Sequence, residues 1–208
     1  HIELEQIYVT LRATRQRTVE AEDAWLEAEA HIAPGEARPR RTEMEAGRRT
    51  HIETVTVSVD EALAAHPRLV ILGDPGSGKT TLLRYLALLF ARDLAEGKTL
   101  VQERLGLEES GRLPILLPLR RVGAYLKAHH PVDDGTEGHA LLLRHCYEML
   151  EGERVTLPPG FFDPYLESGQ AVVLLDGLDE VADPDLRRRV SRLVEAFSAA
   201  YPDCRYVV

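Results

Sequence analysis

The chain has 208 residues, 44% hydrophobic and 28% charged, enough for one α/β domain with a sizeable core or a domain plus an arm. Acidic residues outnumber basic ones 34 to 25, for a formal net charge of -9, which argues against wholesale coating of nucleic acid. Two distant cysteines, Cys146 and Cys204, build neither a disulfide framework nor a zinc site, and no apolar run approaches the roughly 20 residues of a membrane span.

Both cysteines therefore read as buried small apolar side chains in a reducing compartment. With no signal peptide before the charged N-terminus, the expected location is the cytoplasm. The sequence begins at His1 rather than Met and is read as a piece of a longer protein.

In chain order, Ile2 to Leu11 is short and partly apolar and reads as an extended segment docked on a larger body. Residues 19 to 30 favour helix by propensity. Residues 34 to 50 hold two prolines, two glycines and several arginines and read as a mobile connection. Residues 1–50 are accordingly taken as an N-terminal arm or linker, and 51–208 as the main domain. Val55 to Val59 is β-rich, with Ser58 or Asp60 placed to cap a short helix over Glu61–Ala65. Arg68 to Gly73 is an apolar run ending in glycine, as in a buried strand. From Lys79 to Leu94, the residues Leu82, Leu83, Leu86, Leu89 and Phe90 recur at helical spacing. A second apolar run covers 113–119, a helical stretch covers Ala140 to Leu150, and a third apolar run covers 171–176. Leu186, Val190, Leu193, Val194 and Phe197 mark an amphipathic helix, and a last strand covers 204–208. Alternating strands and helices with apolar strands predict a mostly parallel sheet covered on both faces.

Between the first strand and its helix stands Gly73-Asp74-Pro75-Gly76-Ser77-Gly78-Lys79-Thr80, the pattern G-x-x-x-x-G-K-[ST] in its proper strand–loop–helix setting. Its glycines let successive N–H groups point inward at phosphate oxygens, where the helix also aims its positive dipole end. Lys79 is placed to reach β- and γ-phosphates, the Thr80 hydroxyl to ligate magnesium, and Thr81 extends the phosphate-binding turn. The apolar strand 171–176 ends on Asp176, at the sheet edge where open α/β sheets bind ligands, which makes Asp176 the metal carboxylate. Hydrolysis of a γ-phosphate needs a group that orients or deprotonates water. The position after Asp176 is Gly177, so Asp179 and Glu180 are the candidate catalytic acids. Glu180 has the longer reach, and either acid can instead cap the helix beginning near Asp183. These features predict a three-layer P-loop NTPase of ASCE type, with Walker A and Walker B elements.

With Gly73–Thr80 and Leu174–Glu180 in view, the chain resembles a NACHT module of the signal-transducing (STAND) ATPases over residues 52 to 208. A small residue after the metal Asp, with acids displaced downstream in DGLDE, carries that resemblance. Tyr8-Val9-Thr10-Leu11 resembles a segment upstream of the module in bacterial relatives, which implies adenine contacts at Val9 and Thr10. The resemblance implies an ATP/ADP-binding, magnesium-dependent signalling switch with slow hydrolysis, which self-associates on activation and gathers effector domains lying outside this chain. Bacterial examples serve signalling and antiphage defence. In relatives the strand at 204–208 leads to a sensor arginine, followed by helical and winged-helix parts, none of which this sequence contains.

Rival readings on the same loop are a rapid enzyme such as a small-molecule kinase, with 120–138 as its lid, or a motor-type AAA+ ATPase, which would normally carry its acid beside Asp176, where Gly177 stands. GTP specificity is not expected, because no NKxD-like motif is present. His129, His130, His139 and His145 lack metal-ligand spacing and read as surface or core residues. Arg187-Arg188-Arg189 reads as a solvated helix face.

Overall fold

The structure, a computed structural model, describes residues 12–19, 51–74, 76–97, 99–109, 111–130 and 138–208. The chain divides into two compact units, Val9–Val59 and, with His1–Tyr8, Asp60–Val208. In the smaller unit, β1 (Arg12–Val19) pairs antiparallel with β2 (His51–Ser58), from Arg12↔Ser58 to Val19↔His51. The alternating threonines and valines of 54–57 suit such a ribbon. Val19 was expected to open a helix over 19–30. It instead closes β1 opposite His51, where a β-branched residue is at home. Residues 20–50, with Trp25, lie outside the described residues, as do Val9 and Thr10.

The larger unit is an α/β domain on a parallel four-stranded sheet. After α1 (Val59–Ala65) come β3 (Arg68–Leu69), α2 (Lys79–Glu96), α3 (Leu100–Leu105), β4 (Leu113–Pro118), α4 (Leu119–His129) and α5 (His139–Gly152). They are followed by α6 (Asp163–Glu167), β5 (Ala171–Asp176), α7 (Pro184–Ala200) and β6 (Arg205–Val207). The strand order is β3-β6-β5-β4, every pair parallel. Burial follows from the pleat. Ala171, Val173 and Leu175 of β5 join Ile115, Leu117 and Tyr206 in one core with Val122, Leu126, Leu142, Val190 and Phe197 from α4, α5 and α7. Val172 and Leu174, also fully buried, occupy the opposite face, and α2 packs on β4 and β5. Cys146 and Cys204 are both buried free thiols, and burial pushes Cys146 up to about 12. Among the described residues, no helix is long and apolar enough to cross a membrane.

Three expectations are corrected. The run 68–73 is not a buried strand: β3 is two residues long and stands at the sheet's outer edge, and Val70 and Leu72 are 64% and 89% exposed. Its hydrogen bonding to β6 persists one step further, through Ile71 N–H to the Val208 carbonyl at 2.7 Å. The stretch 120–138 is no lid over its described part, since α4 buries Leu119, Val122 and Leu126 in the core. Nor is Arg187–Arg189 all solvated. Arg189 is buried and donates to the His130 carbonyl at 2.8 Å, while Arg187 donates to that of Val181 at 2.9 Å.

At the amino edge of the sheet the fold is tied by a buried cation. Arg205 donates from Nη1 to the carbonyls of Leu63 (2.6 Å) and His66 (2.9 Å), at the end of α1. Its Nε and Nη2 grip the Glu109 carboxylate in a fork, at 2.8 and 2.6 Å, the geometry guanidinium–carboxylate pairs favour. Those bonds hold the Glu109 carboxyl below its ordinary 4.5, against the opposing effect of burial. A depressed folded value means that this stabilisation is complete above the unfolded value and is lost as pH falls through the folded one. Urea unfolding should therefore show stability falling below about pH 4.5, and Glu109→Gln should flatten that part of the profile. At pH 7, Arg205→Met should cost about 3 kcal/mol, as expected when one partner of a buried pair is removed.

Candidate functional site

All four strands run the same way, so the segments that follow β3, β4 and β5 leave the sheet at one edge. The β4–β5 register sets Pro118 beside Asp176. Asp176 is half-buried at the end of a strand whose other five residues are fully buried. There the Thr80 hydroxyl donates to Asp176 Oδ1 at 2.9 Å, joining positions 96 residues apart.

The loop before α2 is built on a turn in which Ser77 N–H donates to the Asp74 carbonyl at 3.1 Å. Gly78 is the N-cap of α2 with φ 93, a left-handed conformation costly for any residue with a Cβ. No described side chain caps this 18-residue helix, and no acid stands in its first turn, so its leading N–H groups are open to an anion. Lys79 curls back along the loop. Its Nζ lies 2.5 Å from the Gly73 carbonyl oxygen, 3.3 Å from that of Asp74 and 3.5 Å from Asp179 Oδ2. Gly76 and Thr81 are exposed on either side of this turn. Pro75 lies outside the described residues.

After Asp176 the chain makes a tight turn, with Glu180 N–H donating to the Gly177 carbonyl at 3.2 Å. Gly177 has φ 75, and a Cβ added there would lie 3.2 Å from Glu180 Cδ and 3.4 Å from its Cγ. Glu180 is thus folded back over the place that a side chain at 177 would take. Arg120, in the first turn of α4, stands 3.9 Å from the Glu180 carboxylate. Asp179 points the other way, to Lys79. Neither acid caps α7. That role belongs to Asp183, whose Oδ1 accepts from the N–H groups of Asp185 (2.9 Å) and Leu186 (3.2 Å), bonds that hold its carboxyl below the usual value.

The site therefore brings together the Lys79 ammonium and the loop amides, the Thr80–Asp176 oxygen pair, and the two downstream acids. It also contains Arg120, which sequence reasoning marked only as a lid residue; its place directly after a strand ending beside Asp176 was the available signal. Open helix N–H groups and an ammonium suit a phosphate-type anion, and a hydroxyl with a carboxylate suits a hard divalent cation. The histidines lie elsewhere. His145 packs on the Tyr125 ring at 4.8 Å between centroids, and burial lowers its pKa. His129 stacks on the same ring at 4.6 Å.

No protein-family model matches the chain, and neither a curated protein nor a solved structure matches it.

Gly177→Ala tests the turn. A methyl group at a positive φ costs roughly 1–2 kcal/mol and here also pushes on the Glu180 side chain. Chemical denaturation should show a loss of that size.

Proposed function

We propose that this chain is an ATP/ADP-binding module of NACHT type, the nucleotide sensor of a signalling switch with slow magnesium-dependent hydrolysis. The observation that carries the reading is the 2.9 Å bond between Thr80 and Asp176. It closes the loop G-x-x-x-x-G-K-T against an acid at the carboxyl end of a buried strand, the two parts a P-loop NTPase needs in one place. β6 lies between the loop strand and the acid strand, in keeping with an ASCE-type sheet.

In this reading the N-terminal amides of α2 and the Lys79 ammonium hold the phosphates, as point donors and charge. Thr80 and Asp176 fit a hydrated magnesium ion, which takes few protein oxygens and keeps water and phosphate in its remaining positions. When bound, that ion neutralises charge on the β- and γ-phosphates. Glu180, folded over Gly177, orients the attacking water by accepting its hydrogen bond, and Arg120 keeps the carboxylate on that side. Val9 and Thr10 are proposed for the adenine side on the strength of the family resemblance. Self-association and coupling to an effector, with a role in bacterial signalling or defence, are proposed on the same basis.

Calorimetry tests the assignment. The chain should bind ADP, and Lys79→Ala should abolish the heat of binding; undiminished binding in that variant overturns the phosphate-loop reading. Asp176→Asn should flatten the dependence of affinity on magnesium while leaving metal-free binding nearly intact. Equal losses with and without metal would mean that Asp176 does not serve the cation.

A further inference from the structure

Lys79 is engaged by groups of its own site. Its ammonium is held by two carbonyls of its own loop and by the Asp179 carboxylate 3.5 Å away. The Lys79 side chain is 22% exposed and that of Asp179 57%, so the acid reaches in from the solvent side over a cation that is mostly covered. The neighbouring acid Glu180 turns away, over Gly177 and toward Arg120. Two adjacent carboxylates therefore face two different cations. A phosphate that recruits Lys79 thus meets the negative charge of Asp179 at the same ammonium.

We propose that Asp179 is a positioning residue that competes with the nucleotide phosphates for Lys79 and so sets the affinity for adenine nucleotide, while Glu180 is kept for hydrolysis. The inference rests on the phosphate-loop reading above. It gives the two acids of DGLDE opposite duties. Asp179 weakens holding of the nucleotide, which eases exchange; Glu180 acts only once the nucleotide is held.

The test is calorimetric titration of the full chain with ADP, with and without magnesium, for the parent, Asp179→Asn, Asp179→Glu and Glu195→Gln. An exposed ion pair is worth a modest factor, so Asp179→Asn should bind ADP about two- to fivefold more tightly than the parent. Asp179→Glu, which keeps the charge, should stay within about twofold of the parent. Glu195→Gln makes the same change of net charge far along the exposed side of α7 and should leave affinity unchanged. If Asp179→Asn binds no more tightly than the parent, or if Glu195→Gln tightens binding equally, competition at Lys79 is overturned. If the parent binds no ADP, or Lys79→Ala binds it undiminished, the phosphate-loop reading itself falls and this inference falls with it.

Discussion

Asp176 can meet Thr80 because the strand that carries it is buried on both faces and cannot shift. Ala171 to Leu175 are buried without exception, and their alternation divides them between two sets of helices. A one-residue slip of β5 would exchange those faces and carry Asp176 out of reach of α2. The parallel register with β4 and β6 excludes that slip. Everything at the carboxyl edge is positioned from this strand. The Gly177–Glu180 turn begins at its end, Asp183 then caps α7, and α7 returns its apolar side to the same core through Val190, Leu193 and Phe197.

The two edges of the sheet treat charge differently. At the amino edge, Arg205 is 3% exposed, and its hydrogen bonds go to fixed carbonyls and a half-buried carboxylate. Exchanging any of these partners would leave a charge stranded out of water, so the arrangement is permanent. At the carboxyl edge, Lys79, Asp179, Glu180 and Arg120 are more open, and their pairs are longer. Pairs of that kind are weak and can be traded for a ligand at little cost. Rigidity and exchange are thus separated by the length of a strand.

The legible parts of the chain were those in which chemistry and periodicity coincide. The buried run 171–176 ending in Asp176 was read with its bounds intact, because an apolar strand closed by an acid and a glycine is unambiguous in type and end. The helix after Lys79 and the helix around Val190 declared themselves by spacing and differ from expectation only at their termini. Less legible was α4, whose first turn carries Arg120 and Arg121 directly after Pro118, although Leu119, Val122, Gly123, Tyr125 and Leu126 are buried. β3 misled because Val70 and Leu72 are as apolar as any core strand, yet tertiary context leaves them at an outer edge. Arg189 misled in the opposite sense, since a run of three arginines says nothing about which one turns inward. At the site, the residue types were legible but their pairing was not. No spacing rule states that Asp179 faces Lys79 while Glu180 folds over Gly177, because that depends on a left-handed residue and on where α4 begins.

The close approach of Glu180 to position 177 has a consequence for where that acid can rest. A Cβ at 177 would stand 3.2 Å from Glu180 Cδ and 3.4 Å from its Cγ, so any side chain beside Asp176 would oblige the exposed Glu180 side chain to give way. The place where Glu180 rests is thus set by the absence of a side chain one residue beyond Asp176.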